Sequence, residues 1–269
     1  MVRIGIVGCG TIGSGLARAV AAGRIPARLA GIANRSRGRA EALAAQLSPS
    51  PPILELPELV RAADLVAEAA TGESLQAIVP ACLREGKDVF VISVGGLLDH
   101  EAWLQEADRR GCRILIASGA IAGLDGVRGA AAGRVDSVTL VTRKPPQGLA
   151  GAPFVVEHGI DVYACTEDTL IFDGTAREAC RGFPTNVNVS AALSLAGIGP
   201  DLTRVRIFCA PGERFNCHRI EVQGEFGRLA VKIHNVPSAT NPRSGVLSIS
   251  ASVAQLAEYA RTWRPRPAA

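Results

Sequence analysis

Two sets of residues have types and spacings that can do chemistry. The first is Gly8-Cys-Gly-Thr-Ile-Gly, in the pattern G-x-G-x-x-G. It follows an apolar run from Val2 to Val7 and precedes Leu16, Ala17, Ala19 and Val20 at helical spacing. A strand, a glycine turn and a helix in that order form a cradle for a dinucleotide pyrophosphate. Gly8 permits the tight turn, Gly10 leaves room for the phosphates, and Gly13 lets the helix pack close to the strand. The phosphates then rest on backbone N–H groups at the positive end of the helix dipole. Gly8, Gly10, Thr11, Ile12 and Gly13 are therefore the candidate contacts of a nicotinamide dinucleotide.

The second set lies far along the chain. His218 sits in Arg214-Phe-Asn-Cys-His-Arg-Ile, where a polar loop enters an apolar strand, and Asn216 shares its face of the extended segment. Arg143-Lys144-Pro145-Pro146 ends a strand and is stiffened by prolines. Its two cations are placed to hold a substrate carboxylate, the alternative being a solvated loop. Asn186 and Asn188 open an apolar helix, where they cap it or hydrogen-bond a nicotinamide amide or a substrate. His100, His158 and His234 read as structural.

The elements that must position these residues follow from the apolar pattern. Strands are expected at 2–7, 28–33, 53–56, 64–70, 88–93 and 113–117. Helices between them, at 39–47, 57–62, 74–85 and 100–110, imply a parallel sheet with right-handed crossovers. The strand over 64–70 carries Ala70, with Thr71 and Gly72 after it, to the sheet edge that faces a cofactor. The second strand ends at Asn34, where an NAD-selective site usually carries Asp or Glu. Asn34, Arg35, Ser36 and Arg37 offer no carboxylate to repel a 2′-phosphate, and two guanidiniums to bind one. This reads as an NADP-competent site, the cofactor being NAD or NADP; the alternative is a pair of solvated arginines.

The pattern changes after Ser118–Gly126. Strands at 135–142, 169–172, 205–209, 218–223 and 228–234, with a helix over 187–196, imply an α+β domain with a mostly antiparallel sheet. The fold class is thus α/β. A Rossmann domain over 1–118 is completed by a C-terminal helix within 242–269, and a substrate domain spans 119–241.

Composition excludes several classes. The 269 residues carry a net charge of +4, and the scattered arginines give little support to nucleic-acid binding. No stretch approaches the ~20 apolar residues of a membrane span. The N-terminus enters a strand directly, with no secretion signal, so the cytoplasm is expected. Seven cysteines, an odd number without a C-x-x-C pair, point to reduced thiols rather than a disulfide framework or a zinc site. No metal is expected.

The chain resembles the L-aspartate dehydrogenase family. The resemblance rests on Gly8-Cys-Gly-Thr-Ile-Gly, Ser93-Val-Gly-Gly-Leu-Leu-Asp and Ser118-Gly-Ala-Ile-Ala-Gly-Leu-Asp-Gly. It continues through Thr142-Arg-Lys-Pro-Pro, Phe183-Pro-Thr-Asn-Val-Asn-Val, Asn216-Cys-His-Arg-Ile and Asn235-Val-Pro-Ser-Ala-Thr-Asn-Pro. These motifs run in order over nearly the whole chain. The resemblance implies a homodimer that oxidatively deaminates L-aspartate to iminosuccinate, and then to oxaloacetate and ammonia. It also implies the reverse amination, or supply of the imine to nicotinamide cofactor synthesis. The family's active-site histidine falls on His218 and its cofactor-contacting amide on Asn188. Ser118–Gly123 matches the part that touches the nicotinamide half, through Ala120 or Ala122. Lys144 is the candidate anchor for a substrate carboxylate and the rival to His218 as general base. Alternative readings are a dihydrodipicolinate reductase-like or homoserine dehydrogenase-like enzyme, and a non-catalytic NAD(P)-binding redox sensor. Asn34-Arg35, in place of an acidic residue, departs from strict NAD preference.

Overall fold

The computed structural model describes residues 1–184, 188–238 and 241–265, with 241–244 described as backbone only. The chain divides into two compact units: residues 1–93, 99–117 and 249–269, and residues 94–98 and 118–248.

The first unit holds β1 (Arg3–Val7), α1 (Thr11–Ala21), β2 (Arg28–Ala33), α2 (Arg37–Ala44), α3 (Leu56–Ala62) and β3 (Leu65–Glu68). It continues with α4 (Leu75–Arg84), β4 (Asp88–Val91), α5 (Ala102–Arg109) and β5 (Ile114–Ile116). The sheet order is β2-β1-β3-β4-β5, and every pair is parallel. Sequential strands β2 and β3 flank β1 on opposite sides. The strand order therefore reverses at β1, whose C-terminal end opens the crevice where such sheets bind ligands. All four residues of β3 and of β4 are buried, as expected of strands covered on both faces. The strand expected over 53–56 reduces to one parallel bridge between Ile53 and Ile32. Glu55 is already committed to capping α3, its N–H donating to the Glu58 carboxylate at 3.3 Å.

The second unit holds α6 (Leu124–Ala131), β6 (Val135–Lys144), α7 (Pro146–Leu149), α8 (Pro153–Glu157), β7 (Thr169–Thr175), α9 (Ala176–Gly182) and α10 (Asn188–Ala196). Then follow β8 (Arg204–Cys209), β9 (Asn216–Gly224), β10 (Gly227–Asn235), β11 (Pro237–Ser238) and β12 (Asn241–Gly245). The larger sheet has the order β10-β9-β6-β8-β7. It is antiparallel except where β6 runs beside β8. Helix α9 is a capped element absent from the sequence expectation. Thr175 accepts from the Glu178 N–H at 3.2 Å, and Glu178 accepts from the Thr175 N–H at 2.8 Å. Residues 94–98 group with this unit because Asn188 accepts from the Gly95 N–H and the Arg177 guanidinium donates to the Leu98 carbonyl.

The last helix, α11 (Val246–Thr262), lies in the first unit from Ile249 onward. Leu256, Ala257 and Tyr259 join the cluster of Val2, Ile4, Ile6, Leu16, Ile32 and Phe90. The Tyr259 hydroxyl donates to Asp88 at 2.8 Å, and the Gln255 amide donates to the Ile116 carbonyl at 3.2 Å. The helix thereby tethers the β4–β5 edge. No helix among the described residues is long and apolar enough to cross a membrane.

Candidate active site

In the first unit the glycine turn is shaped by close backbone approach. Gly8 has φ +102°, and a Cβ there would lie 2.4 Å from the Ala69 carbonyl oxygen. A Cβ on Gly13 would lie 1.9 Å from the Gly8 carbonyl oxygen. Neither position can carry a side chain without moving main chain. Gly10 differs: a Cβ there would meet nothing within 4 Å, so the space beside it is open. Gly10 also precedes α1 without a capping side chain, and the first turn of α1, with Thr11 and Ile12, carries no acid. An uncapped helix N-terminus beside open space suits a pyrophosphate, so the residues present fit a dinucleotide cofactor.

Asn34 has a role that its position as a specificity residue does not suggest. Its Oδ1 accepts from the Cys9 N–H at 3.0 Å, and its Nδ2 donates to the Ser36 carbonyl at 2.8 Å. The side chain ties the glycine turn to the end of β2. Arg35 is exposed, and Arg37 forms an i,i+4 pair with Glu41. Ala70 is exposed just past β3.

Glu68 was not among the sequence candidates. It is fully buried at the end of β3. One carboxylate oxygen accepts from the Ala70 N–H and the Ser93 hydroxyl, both at 2.8 Å. The other accepts from the N–H groups of Ile92 and Ser93 at 3.1 and 2.9 Å. Burial pushes its pKa up, while these donors pull against that rise. Four donors suit an ionised carboxylate, which only accepts. Glu68 thus ties the β3 and β4 exits together. The available signal was one carboxylate in an otherwise apolar strand.

In the second unit, strand register assembles the polar residues. Thr142 pairs with His218 across β6 and β9, and Asn216 pairs with Asn235 across β9 and β10. Alternation puts Lys144 on the face of Thr142, and Asn216 on the face of His218. His218, Thr142, Lys144, Asn216 and Asn235 are each at most 3% exposed. The His218 Nδ1 and the Thr142 hydroxyl are 3.1 Å apart. Burial, reinforced by the Lys144 charge, pushes the imidazole pKa down to about 3. His218 is therefore neutral at neutral pH, with one ring nitrogen fixed by Thr142.

Lys144 lies at a strand end, as expected, but inside the strand, two residues beyond the stretch expected over 135–142. It ends β6, and β6 outlasts the apolar pattern because Arg143 and Lys144 are both paired to β8. Arg143 points to the opposite face, where it pairs with Asp168 and lies over the Phe208 ring. The two adjacent cations are thus separated by the pleat.

Asn188 begins α10, and its Oδ1 accepts from the Gly95 N–H at 3.1 Å. Asn186 lies outside the described residues. A Cβ on Gly119 would touch Val189 at 3.4 Å, so the Ser118–Gly123 segment adjoins the start of α10. Within it Ala120 is buried and Ala122 exposed. The first unit therefore brings together Gly8, Gly10, Gly13 and Asn34. The second brings together His218 and Lys144.

Residues 125–259 match the family described as aspartate dehydrogenase, C-terminal, and residues 8–117 match that described as homoserine dehydrogenase, NAD binding domain. The chain is 43% identical over 262 residues to L-aspartate dehydrogenase of Methanosarcina mazei, covering 95% of this chain and 96% of that one. It is 42% identical over 260 residues to L-aspartate dehydrogenase of Bradyrhizobium diazoefficiens, covering 97% and 92%. Among solved structures it is similar in fold to aspartate dehydrogenase of Thermotoga maritima, with a TM-score of 0.70 and 24% identity over 95% of this chain and 97% of that one.

Proposed function

The chain belongs to the L-aspartate dehydrogenase family, and from that premise we propose that it oxidises L-aspartate with a nicotinamide dinucleotide. The products are iminosuccinate, the reduced cofactor and a proton; water then converts the imine to oxaloacetate and ammonia. The observation that carries this reading on the chain itself is the buried His218–Thr142 pair beside Lys144.

A nicotinamide dinucleotide held at the glycine turn would supply the acceptor for the hydride that leaves the substrate Cα. The chain's own residues do the rest. Gly8, Gly10, Thr11, Ile12 and Gly13 cradle the pyrophosphate at the N-terminus of α1. Ala70, Ala120 or Ala122, and Asn188 are the remaining cofactor contacts we assign. Lys144 attracts a substrate carboxylate, a use suited to a buried cation on the face of His218. The substrate ammonium must lose a proton before its nitrogen lone pair can drive hydride departure. His218 takes that proton at Nε2 when its Nδ1–H donates to Thr142, the tautomer that leaves the Nε2 lone pair open. A carboxylate beside Lys144 offsets the charge that holds the imidazole pKa down, so substrate entry raises the basicity of His218. The same nitrogen, once protonated, is placed to return its proton in the reverse amination.

NADP is accepted as well as NAD in this reading. No carboxylate stands at the end of β2, and the exposed Arg35 guanidinium suits a 2′-phosphate. Asn34 acts by holding the turn rather than by touching the ribose. We assign the enzyme to the cytoplasm as a homodimer, a setting consistent with seven cysteines outside any disulfide.

The deciding experiment follows reduced-cofactor absorbance with L-aspartate against NAD and NADP, and with oxaloacetate plus ammonia against both reduced forms. Turnover is expected in both directions. Cofactor binding without turnover of aspartate or oxaloacetate would overturn the substrate assignment.

A further inference from the structure

On the sheet face opposite His218, three groups with lone pairs converge. Cys217 and His234 are directly paired across β9 and β10, and the Cys217 Sγ lies 3.3 Å from the His234 Nδ1. Glu213, in the turn before β9, completes the group. Its carboxylate, the thiol and the imidazole nitrogen all lie within 4.8 Å of one another. We propose that Glu213, Cys217 and His234 form a binding site for a divalent cation of the zinc class, separate from the catalytic face.

The geometry suits that class. A tetrahedral zinc ion with usual bond lengths to sulfur and nitrogen holds those two atoms about 3.5 Å apart, close to the separation present here. One thiolate, one imidazole and one carboxylate form a three-ligand set with the fourth position left to water. Binding replaces the Cys217 S–H bond with an S–metal bond and releases the proton to solvent. The thiolate and carboxylate together cancel the dication's charge.

The ligands are also held in place. Glu213 accepts from the N–H groups of Arg214 and Phe215 at 3.0 and 3.2 Å, which orients its carboxylate. The Phe215 ring packs edge-on against His234 with centroids 6.0 Å apart. Such outer contacts orient metal ligands. As a hydrogen-bonded group alone the cluster gains little, because a thiol is a weak donor and a weak acceptor. His234 and Cys217 are 17 residues apart, so no local spacing reveals the set, and only strand register brings it together.

The test uses the full-length protein, stripped with chelator, incubated with zinc, desalted and assayed for bound metal. Cobalt substitution supplies a second readout through the visible bands of tetrahedral thiolate coordination. One metal per chain is expected, with those bands present. His234→Ala, a change at an exposed side chain, is expected to lower affinity by at least about tenfold. Cys217→Ser should abolish the thiolate bands, and Glu213→Gln should weaken retention. Cys165→Ser should leave binding intact. No metal retained by wild type, or equal retention by the His234→Ala protein, would overturn the proposal.

Discussion

In the first unit the groups around the glycine turn converge through main-chain contacts. The Gly8 N–H donates to Ala33, the Cys9 N–H to Asn34, and the N–H groups of Ala70, Ile92 and Ser93 to Glu68. In the second unit the corresponding work is done by side chains on one sheet face: Thr142, Lys144, Asn216 and His218. The two designs suit the different tasks proposed for them. A pyrophosphate is large, anionic and recognised by N–H groups, so small residues and a helix end suffice. Proton transfer needs an ionisable group with a tuned affinity, so it requires burial and a neighbouring charge.

The sharpest way to break this comparison is His218→Ala. Turnover should fall by about 10²–10⁴, while the affinity for reduced cofactor, read by fluorescence titration, stays unchanged. A parallel loss of cofactor affinity would show that the two units do not divide the tasks in this way.

The same division decides what could be read from sequence. The nucleotide fold was legible because its rules are local: Gly8, Gly10 and Gly13 are spaced within one turn, and buried parallel strands are continuous apolar runs. Glu68 escaped notice because its four partners lie on two chain segments. In the second unit, composition and spacing exposed His218 as unusual but could not pair it with Thr142, because register is a property of the folded sheet. Lys144 was legible as a strand-end cation beside two prolines, but only the folded sheet shows that it is buried while Arg143 faces the other way. The role assigned to Asn188 came from family resemblance, and its hydrogen bond to Gly95 depends on an approach between distant segments.

Glu68→Gln probes the buried side chain that holds the backbone at the exits of β3 and β4. The substitution turns an acceptor oxygen into a donor among partners that all donate. Each donor left facing a donor costs about 1–3 kcal/mol, so denaturant unfolding should show a loss of that size or more. An unchanged unfolding midpoint would mean that the β3 and β4 exits are held by main chain alone.

Two glycine substitutions separate shape from recognition within the same turn. Gly13→Ala forces a Cβ against the Gly8 carbonyl and should destabilise the protein by about 1–3 kcal/mol. Gly10→Ala meets no protein atom and should leave the melting temperature unchanged. Its methyl instead enters the space assigned to phosphate, raising the cofactor Kd about tenfold, or roughly 1.4 kcal/mol. If both variants lost stability and neither selectively lost affinity, the open space beside Gly10 would not be the phosphate cradle.

The smallest expected effect concerns Arg35, where a side chain in the first unit is asked to recognise rather than to support. Asn34 is occupied by Cys9 and Ser36, and Arg37 by Glu41, whereas Arg35 extends from the same turn into solvent. Its contribution is a screened, charge-assisted contact to a 2′-phosphate. Arg35→Ala should therefore raise the KM for NADP about fivefold, an effect that shrinks with added salt, and leave the KM for NAD unchanged. Equal changes for both cofactors would assign Arg35 to the turn itself. The first unit would then recognise its ligand without any charged side chain, and the contrast with the second unit would be complete.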